Sequence, residues 1–190
     1  MKKSFFSLAI AVLLSGAAAT TVSAQKVKVK TVMVGGAPMY PTKNIVENAV
    51  NSKDHTTLVA AVKAAGLVET LSSAGPFTVF APTNEAFGKL PAGTVETLVK
   101  PENKATLTKI LTYHVVAGRM TSSDLVKAIK AGKGKATLKT VSGGTLTAMM
   151  KGAKGIELKD EKGGVSVVTI ADVLQSNGVI HVVNTVLMPN

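Results

Sequence analysis

Gly75-Pro76-Phe77-Thr78-Val79-Phe80-Ala81-Pro82-Thr83-Asn84-Glu85-Ala86-Phe87 carries three successive structural instructions. Phe77-Thr78-Val79-Phe80 is a compact aromatic and β-branched run, which predicts a strand. Pro82 has no N–H to give a sheet ladder, so it predicts where that strand stops. Thr83 is then placed to cap a short helix carrying Phe87 and Leu90, whose apolar side chains return to the same core.

Upstream of this stretch the apolar residues repeat at helical spacing. Ile45, Val46, Ala49 and Val50 share one face, with Thr42 as the expected N-cap. A second helix is predicted from about His55 to Ala65, with Leu58, Val62 and Ala65 in register, Asp54 before it and Gly66 as its C′ residue. Leu67, Val68 and Leu71 read as a short apolar turn leading to the Ser72-Ser73-Ala74-Gly75-Pro76 loop. Further back, residues 25–41 read as an arm or linker. Lys26-Val27-Lys28-Val29-Lys30 alternates at period two and suits an edge strand, while Gly35-Gly36, Pro38 and Pro41 are expected to break any regular element. A solvated leader is the plainer reading of that arm, and a binding arm the sharper one.

Residues 1–24 read as a secretory signal. Lys2 and Lys3 precede the apolar run Phe5–Leu14, and Val22-Ser23-Ala24 forms a small-x-small cleavage pattern before Gln25. The run falls short of the roughly 20 residues that cross a bilayer as a helix, and no later stretch approaches that length. The mature product is therefore expected to have no membrane span and to be secreted, extracellular or periplasmic.

Downstream, Pro101 suits the first turn of a helix that buries Leu107, Ile110 and Leu111, and Tyr113-His114-Val115-Val116 is expected to leave it as a strand. Thr121 with Asp124 resembles a capping box, opening a helix through Leu125, Val126 and Ile129 to Gly132. The period then changes from 3.6 to 2. Strands are predicted at 136–142, 145–150, 155–160, 165–170 and 179–187, with Asn177-Gly178 as a tight type I′ hairpin turn. A helix-rich first half and a strand-rich second half make an α+β architecture, and no segment recurs.

Composition bounds what such a fold can do. The 190 residues are 46% hydrophobic, 17% charged and 4% aromatic, without cysteine or tryptophan. That much apolar side chain excludes a solvated coil, and the missing cysteines exclude a disulfide scaffold or a thiolate metal site. Lys+Arg number 22 against 11 Asp+Glu.

The opening stretch closely resembles the first homology box of the fasciclin-like domain family. Leu111-Thr112-Tyr113-His114-Val115-Val116 resembles that family's central Tyr-His box, and Asn177-Gly178-Val179-Ile180-His181-Val182-Val183 with Leu187-Met188-Pro189 is similar to its second box. Together they span nearly all of residues 42–190. The resemblance implies a β-sandwich or wedge of about seven strands with helices packed on one side. It also implies a role in cell adhesion or the extracellular matrix, as in secreted bacterial members that include mycobacterial antigens. In animal relatives the Tyr-His region and its flanking aliphatics are implicated in adhesion, which marks Leu111, Tyr113, His114, Val115 and Val116. An Asp-Ile pair implicated there corresponds to Asp172-Val173, with valine in place of isoleucine.

The residues themselves offer little catalytic chemistry. No Gly-x-Ser-x-Gly elbow, phosphate-cradling glycine loop or His-x-x-x-His spacing occurs, and His55, His114 and His181 lie far apart. A hydrolase triad built from distant residues is the weakest of the readings. His114 and His181 each sit in an apolar run, where a ring packs while a nitrogen bonds backbone. No cofactor or metal is implied. Lys127, Lys130, Lys133, Lys135 and Lys139 lie close in sequence and form a candidate polyanion contact, with Lys151, Lys154, Lys159 and Lys162 following on hairpin turns. Scarce arginine and aromatics argue against specific nucleic-acid recognition. The expected product is a secreted, non-enzymatic adhesion module, a monomer or weak oligomer, whose partner is a cell-surface protein or an anionic glycan. The alternative is a carrier of a carotenoid or lipid, with Met149 and Met150 lining a lipophilic groove.

Overall fold

The structure is a computed structural model that describes residues 31–190. The expected signal segment and the Lys26–Lys30 strand lie outside the described residues. The chain begins with a hairpin of β1 (Val32–Val34) and β2 (Ala37–Met39). Gly35 and Gly36 do not break this segment. Both take positive φ, 57° and 77°, which is what a tight two-residue hairpin turn requires, and Val34 and Met39 enter the core.

Helix α1 (Ile45–Ala49) starts at Asn44 and not at Thr42. The Asn44 side chain accepts from the Glu47 N–H while Glu47 reaches back to the Asn44 N–H, a reciprocal cap that Thr42, two residues too early, has no way to make. A 3-10 turn, Lys53–His55, leads into α2 (Thr56–Ala65), which ends on Gly66 in the left-handed region as expected. The apolar turn after it is a short helix, α3 (Val68–Ser72).

Strand β3 (Phe77–Pro82) ends on the proline, and Thr83 caps α4 (Asn84–Gly88) by accepting from the Ala86 N–H. After α5 (Thr94–Leu98) and a 3-10 turn at Pro101–Asn103 comes α6 (Lys104–Tyr113). Tyr113 is therefore the last helical residue and His114 its C-cap, so the strand that follows, β4 (Val115–Ala117), starts later than the sequence suggested. Helix α7 (Ser122–Ala131) opens on the Thr121–Asp124 capping box.

Five strands complete the chain: β5 (Lys135–Lys139), β6 (Thr145–Lys151), β7 (Gly155–Lys159), β8 (Val165–Gln175) and β9 (Gly178–Val183). Strand β8 runs past the predicted end at 170 because register shifts between Val168 and Val173 absorb residues that break strict alternation. The β8–β9 turn is Ser176-Asn177, with Gly178 already paired to Gln175 in the ladder. Asn177 is buried there because its side chain accepts from the Ile45 N–H and donates to the Leu71 and Ser73 carbonyls, tying the first helices to the sheet.

The architecture is α+β: a seven-stranded mixed sheet in the order β4-β3-β9-β8-β7-β6-β5, in which β3 and β9 run parallel. It is one curled sheet, nearly closed by a bridge between Val116 and Thr140. Strands β3 and β9 are covered on both faces. Val79, Ala81, Ile180 and Val182 pack with α1, α2 and α6 in one core, while Phe80 and Val183 pack with α7 and the inner face of β5–β7 in the other.

Candidate functional site

Two of the histidines flank Phe80 at the junction of the cores. Phe80 donates its N–H to the His114 carbonyl, and the His181 ring stacks on the Phe80 ring with centroids 5.7 Å apart. His114 Nε2 accepts from the Leu187 N–H at 3.0 Å. Its Nδ1 must then carry the proton, which it donates to the Ile110 carbonyl at 2.9 Å. The ring is neutral and fully used, and burial drives its pKa down to about 4. His181 has the opposite tautomer. Nδ1 accepts from the Asp172 N–H and Nε2 donates to the Met120 carbonyl at 2.9 Å, with burial again lowering the pKa.

Asp172 and Tyr113 complete this region. Asp172 has a left-handed backbone, φ 59°, and its carboxylate accepts from both the N–H and the hydroxyl of Ser122 at the start of α7. Tyr113 is wholly buried, its hydroxyl donating to the Thr145 carbonyl at 2.6 Å and accepting from the Glu161 N–H. Burial is the main reason its pKa is raised.

Two hollows lie near these residues. A partly open cavity of about 60 Å³ lies between α1, α2 and β3, with walls that include Val46, Val59, Val62 and Ala81. His55 borders it. Its Nδ1 bonds the Ser52 hydroxyl at 2.8 Å, while its buried Nε2 has no partner. The volume is far below the roughly 300–1,000 Å³ of pockets for drug-sized ligands. The second hollow is an open groove of about 480 Å³ where β4 and β5 separate, bordered by Val116, Met120, Ala128 and Lys139. Met149 and Met150 line neither, and adjacent strand positions turn to opposite faces, so no shared lipophilic groove exists there. No three His, Asp or Glu side chains cluster as a metal site among the described residues.

The lysine run divides between surfaces. Lys127 and Lys130 lie on the solvent side of α7, Lys133 in the turn after it, and Lys135 and Lys139 on β5, all exposed. Lys127 pairs with Asp124 at 4.0 Å.

A family model described as Fasciclin domain matches residues 53–189. The chain belongs to the fasciclin domain family. It is 47% identical over 162 residues to protein sll1483 of Synechocystis, covering 84% of this chain and 81% of that one. It is 38% identical over 123 residues to the cell surface glycolipoprotein MPB83 of Mycobacterium bovis, covering 65% and 48% respectively. Among solved structures it is similar to a domain pair from the insect cell adhesion molecule fasciclin I, with TM-score 0.68 and 20% identity over 78% of this chain and 52% of that one.

In this fasciclin domain the residues marked by the resemblance for adhesion are mostly interior. Leu111, Tyr113, His114, Val115, Val116 and Val173 are all buried, and only Asp172 is partly open to solvent. An exposed apolar patch around Tyr113 is therefore not what these residues form. Leu111, Val115 and Val173 belong to one core and Tyr113 and Val116 to the other, and burying their apolar surface helps hold those elements together. The residues that sequence reasoning missed are Asn177, Ser122 and the buried Asp160, whose carboxylate accepts from the Lys162, Gly164 and Met188 N–H groups. The Asp160-Glu-Lys-Gly-Gly turn was the one local signal for the last of them.

Proposed function

We propose that this fasciclin domain is an exported, non-enzymatic interaction module that engages a cell surface or matrix through its outer surface. The observation that carries the reading is the saturation of His114 and His181. Both ring nitrogens of each are occupied by backbone groups, so neither is free to act as a base on a bound molecule. The signature stretches serve packing, and recognition falls to exposed side chains. Kinship with a cell surface glycolipoprotein supports the same placement. Among the described residues no helix is long and apolar enough to cross a membrane. The test applies the purified chain to whole cells and isolated envelope of its producer at physiological salt. Saturable retention without chemical change of the bound material is expected. Retention no greater than that of an unrelated basic protein overturns the reading.

A further inference from the structure

The register of β5, β6 and β7 assembles a lysine array that the sequence does not show. Ala136, Leu138, Leu146, Ala148, Ile156 and Leu158 face the core. The alternate positions therefore face solvent. Lys135 lies beside Met149, Thr137 beside Thr147, Thr147 beside Lys159, and Lys139 beside Thr145. Lys151 follows Met149 on the same face. The result is a plate with Lys135 and Lys151 towards one end, Lys139 and Lys159 towards the other, and two threonine hydroxyls between them. With about 3.4 Å per residue and 4.8 Å between strands, the plate measures roughly 20 by 10 Å. Glu157 is the one carboxylate in these three strands, and the single ion pair among the described residues is on α7. Glu157 stands on this face opposite Met149, and the Glu161 carboxylate accepts from the Thr145 N–H beside Lys139, so four lysines face two carboxylates and the plate stays net positive.

The chemistry of the plate selects among polyanions. Lysine ammonium groups are point charges without the forked geometry that grips a single phosphate, so a distributed array of anions suits them better. No aromatic side chain stands on this face to stack a nucleobase. Half-buried Met149 and exposed Val165 beside Lys159 are too little apolar surface to enter a bilayer. The threonine hydroxyls and the Met149 side chain match the hydroxyls and C–H faces of sugar rings. We propose that the outward face of β5–β7 binds a linear polysaccharide carrying carboxylate or sulfate groups. This rests on the interaction-module reading and gives it a partner class.

The purified chain is run over immobilised alginate, dextran sulfate and neutral dextran, and mixed with phosphatidylglycerol vesicles. Retention on both charged polysaccharides at about 0.15 M salt is expected, declining steeply as salt screens the contact. The double variant Lys135→Glu/Lys151→Glu should weaken binding at least about tenfold. Lys63→Glu/Lys104→Glu, also exposed, of equal charge change and on the helical side, should change it by less than roughly twofold. Equal losses from the two pairs, retention matching neutral dextran, or tighter plate-dependent binding to the vesicles each overturn the proposal. The same double variant keeping full envelope binding overturns the plate alone, whereas wild-type chain failing on envelope overturns the interaction-module reading itself.

Discussion

Asp172 and His181 are joined across the bulge of β8, where the Asp172 N–H donates to His181 Nδ1 at 3.3 Å. The same aspartate hands its carboxylate to the first turn of α7, accepting from the Ser122 N–H at 2.6 Å. One residue thus fixes the tautomer of a core histidine and satisfies a helix N–H that has no intrahelical partner. It does so in a left-handed conformation that side-chain-bearing residues seldom adopt, apart from Asp and Asn.

Replacing Asp172 separates these duties. Asp172→Asn tolerates the left-handed backbone and keeps an acceptor for Ser122, so a loss of about 1 kcal/mol or less is expected. Asp172→Ala removes the cap and keeps the strain, with an expected loss of about 2–3 kcal/mol. Urea unfolding of both variants checks the order. Equal losses would show that neither the cap nor the backbone geometry matters.

How far the sequence carries the reader depends on whether a feature is local. Gly66, Thr83 and the Thr121–Asp124 box were readable because each acts within one turn of its own helix. Asn177-Gly178 looked like a hairpin turn because nothing nearby reveals that the Asn177 amide is claimed by Ile45, Leu71 and Ser73. The parallel pairing of β3 with β9 joins distant parts of the chain, and no period announces it. The candidate site divides the same way. The His114 and Tyr113 stretch stood out as a motif, but a motif does not say which way its side chains point, and they point inward. The lysine plate needs the β5–β6–β7 register, because Lys135 and Lys151 meet only through Met149.

Acid should loosen the C-terminal segment. His114 is held neutral with its pKa near 4, against about 6.5 in an unfolded chain. Between those values the unfolded chain binds the extra proton and the native one does not, so stability is complete above pH 6.5 and falls as pH drops towards 4. The span corresponds to about 3 kcal/mol. Protonated Nε2 can no longer accept from Leu187, so amide exchange at Leu187 should speed up between pH 6 and 4 more than expected from pH alone. His114→Leu should be less stable at pH 7, with Leu187 and Ile110 left unpaired, yet show a flatter dependence on pH. An unchanged slope in that variant would move the acid sensitivity to His181 or His55, whose pKa values burial also lowers.

The Ser52–His55 pair is expected to be dispensable together but not singly. His55 Nε2 is buried without a partner beside an apolar cavity, and its other nitrogen bonds only the equally buried Ser52 hydroxyl. His55→Phe alone orphans that hydroxyl, at a cost of about 1–2 kcal/mol. Adding Ser52→Ala removes the orphan, and the double variant should return to within about 0.5 kcal/mol of the parent or exceed it. A double-mutant cycle by thermal unfolding measures the coupling, and strictly additive losses would count against the pairing.

Gly178 and Gly36 should respond oppositely to a single methyl group, although both are glycines in or beside hairpins. A Cβ at Gly178 would stand 2.3 Å from the Phe77 carbonyl oxygen, a backbone atom that cannot step aside without parting β3 from β9. Gly178→Ala should therefore cost about 3 kcal/mol, at the upper end for overpacking, and broaden amide signals along both strands. A Cβ at Gly36 meets open space, and only its φ of 77° opposes the substitution, so Gly36→Ala should cost about 1 kcal/mol and leave the sheet untouched. Gly36→Asn, which suits a left-handed turn position, should recover part of even that. The comparison isolates close approach from backbone conformation. If Gly178→Ala proves no more damaging than Gly36→Ala, then β3 and β9 lie farther apart than their pairing requires.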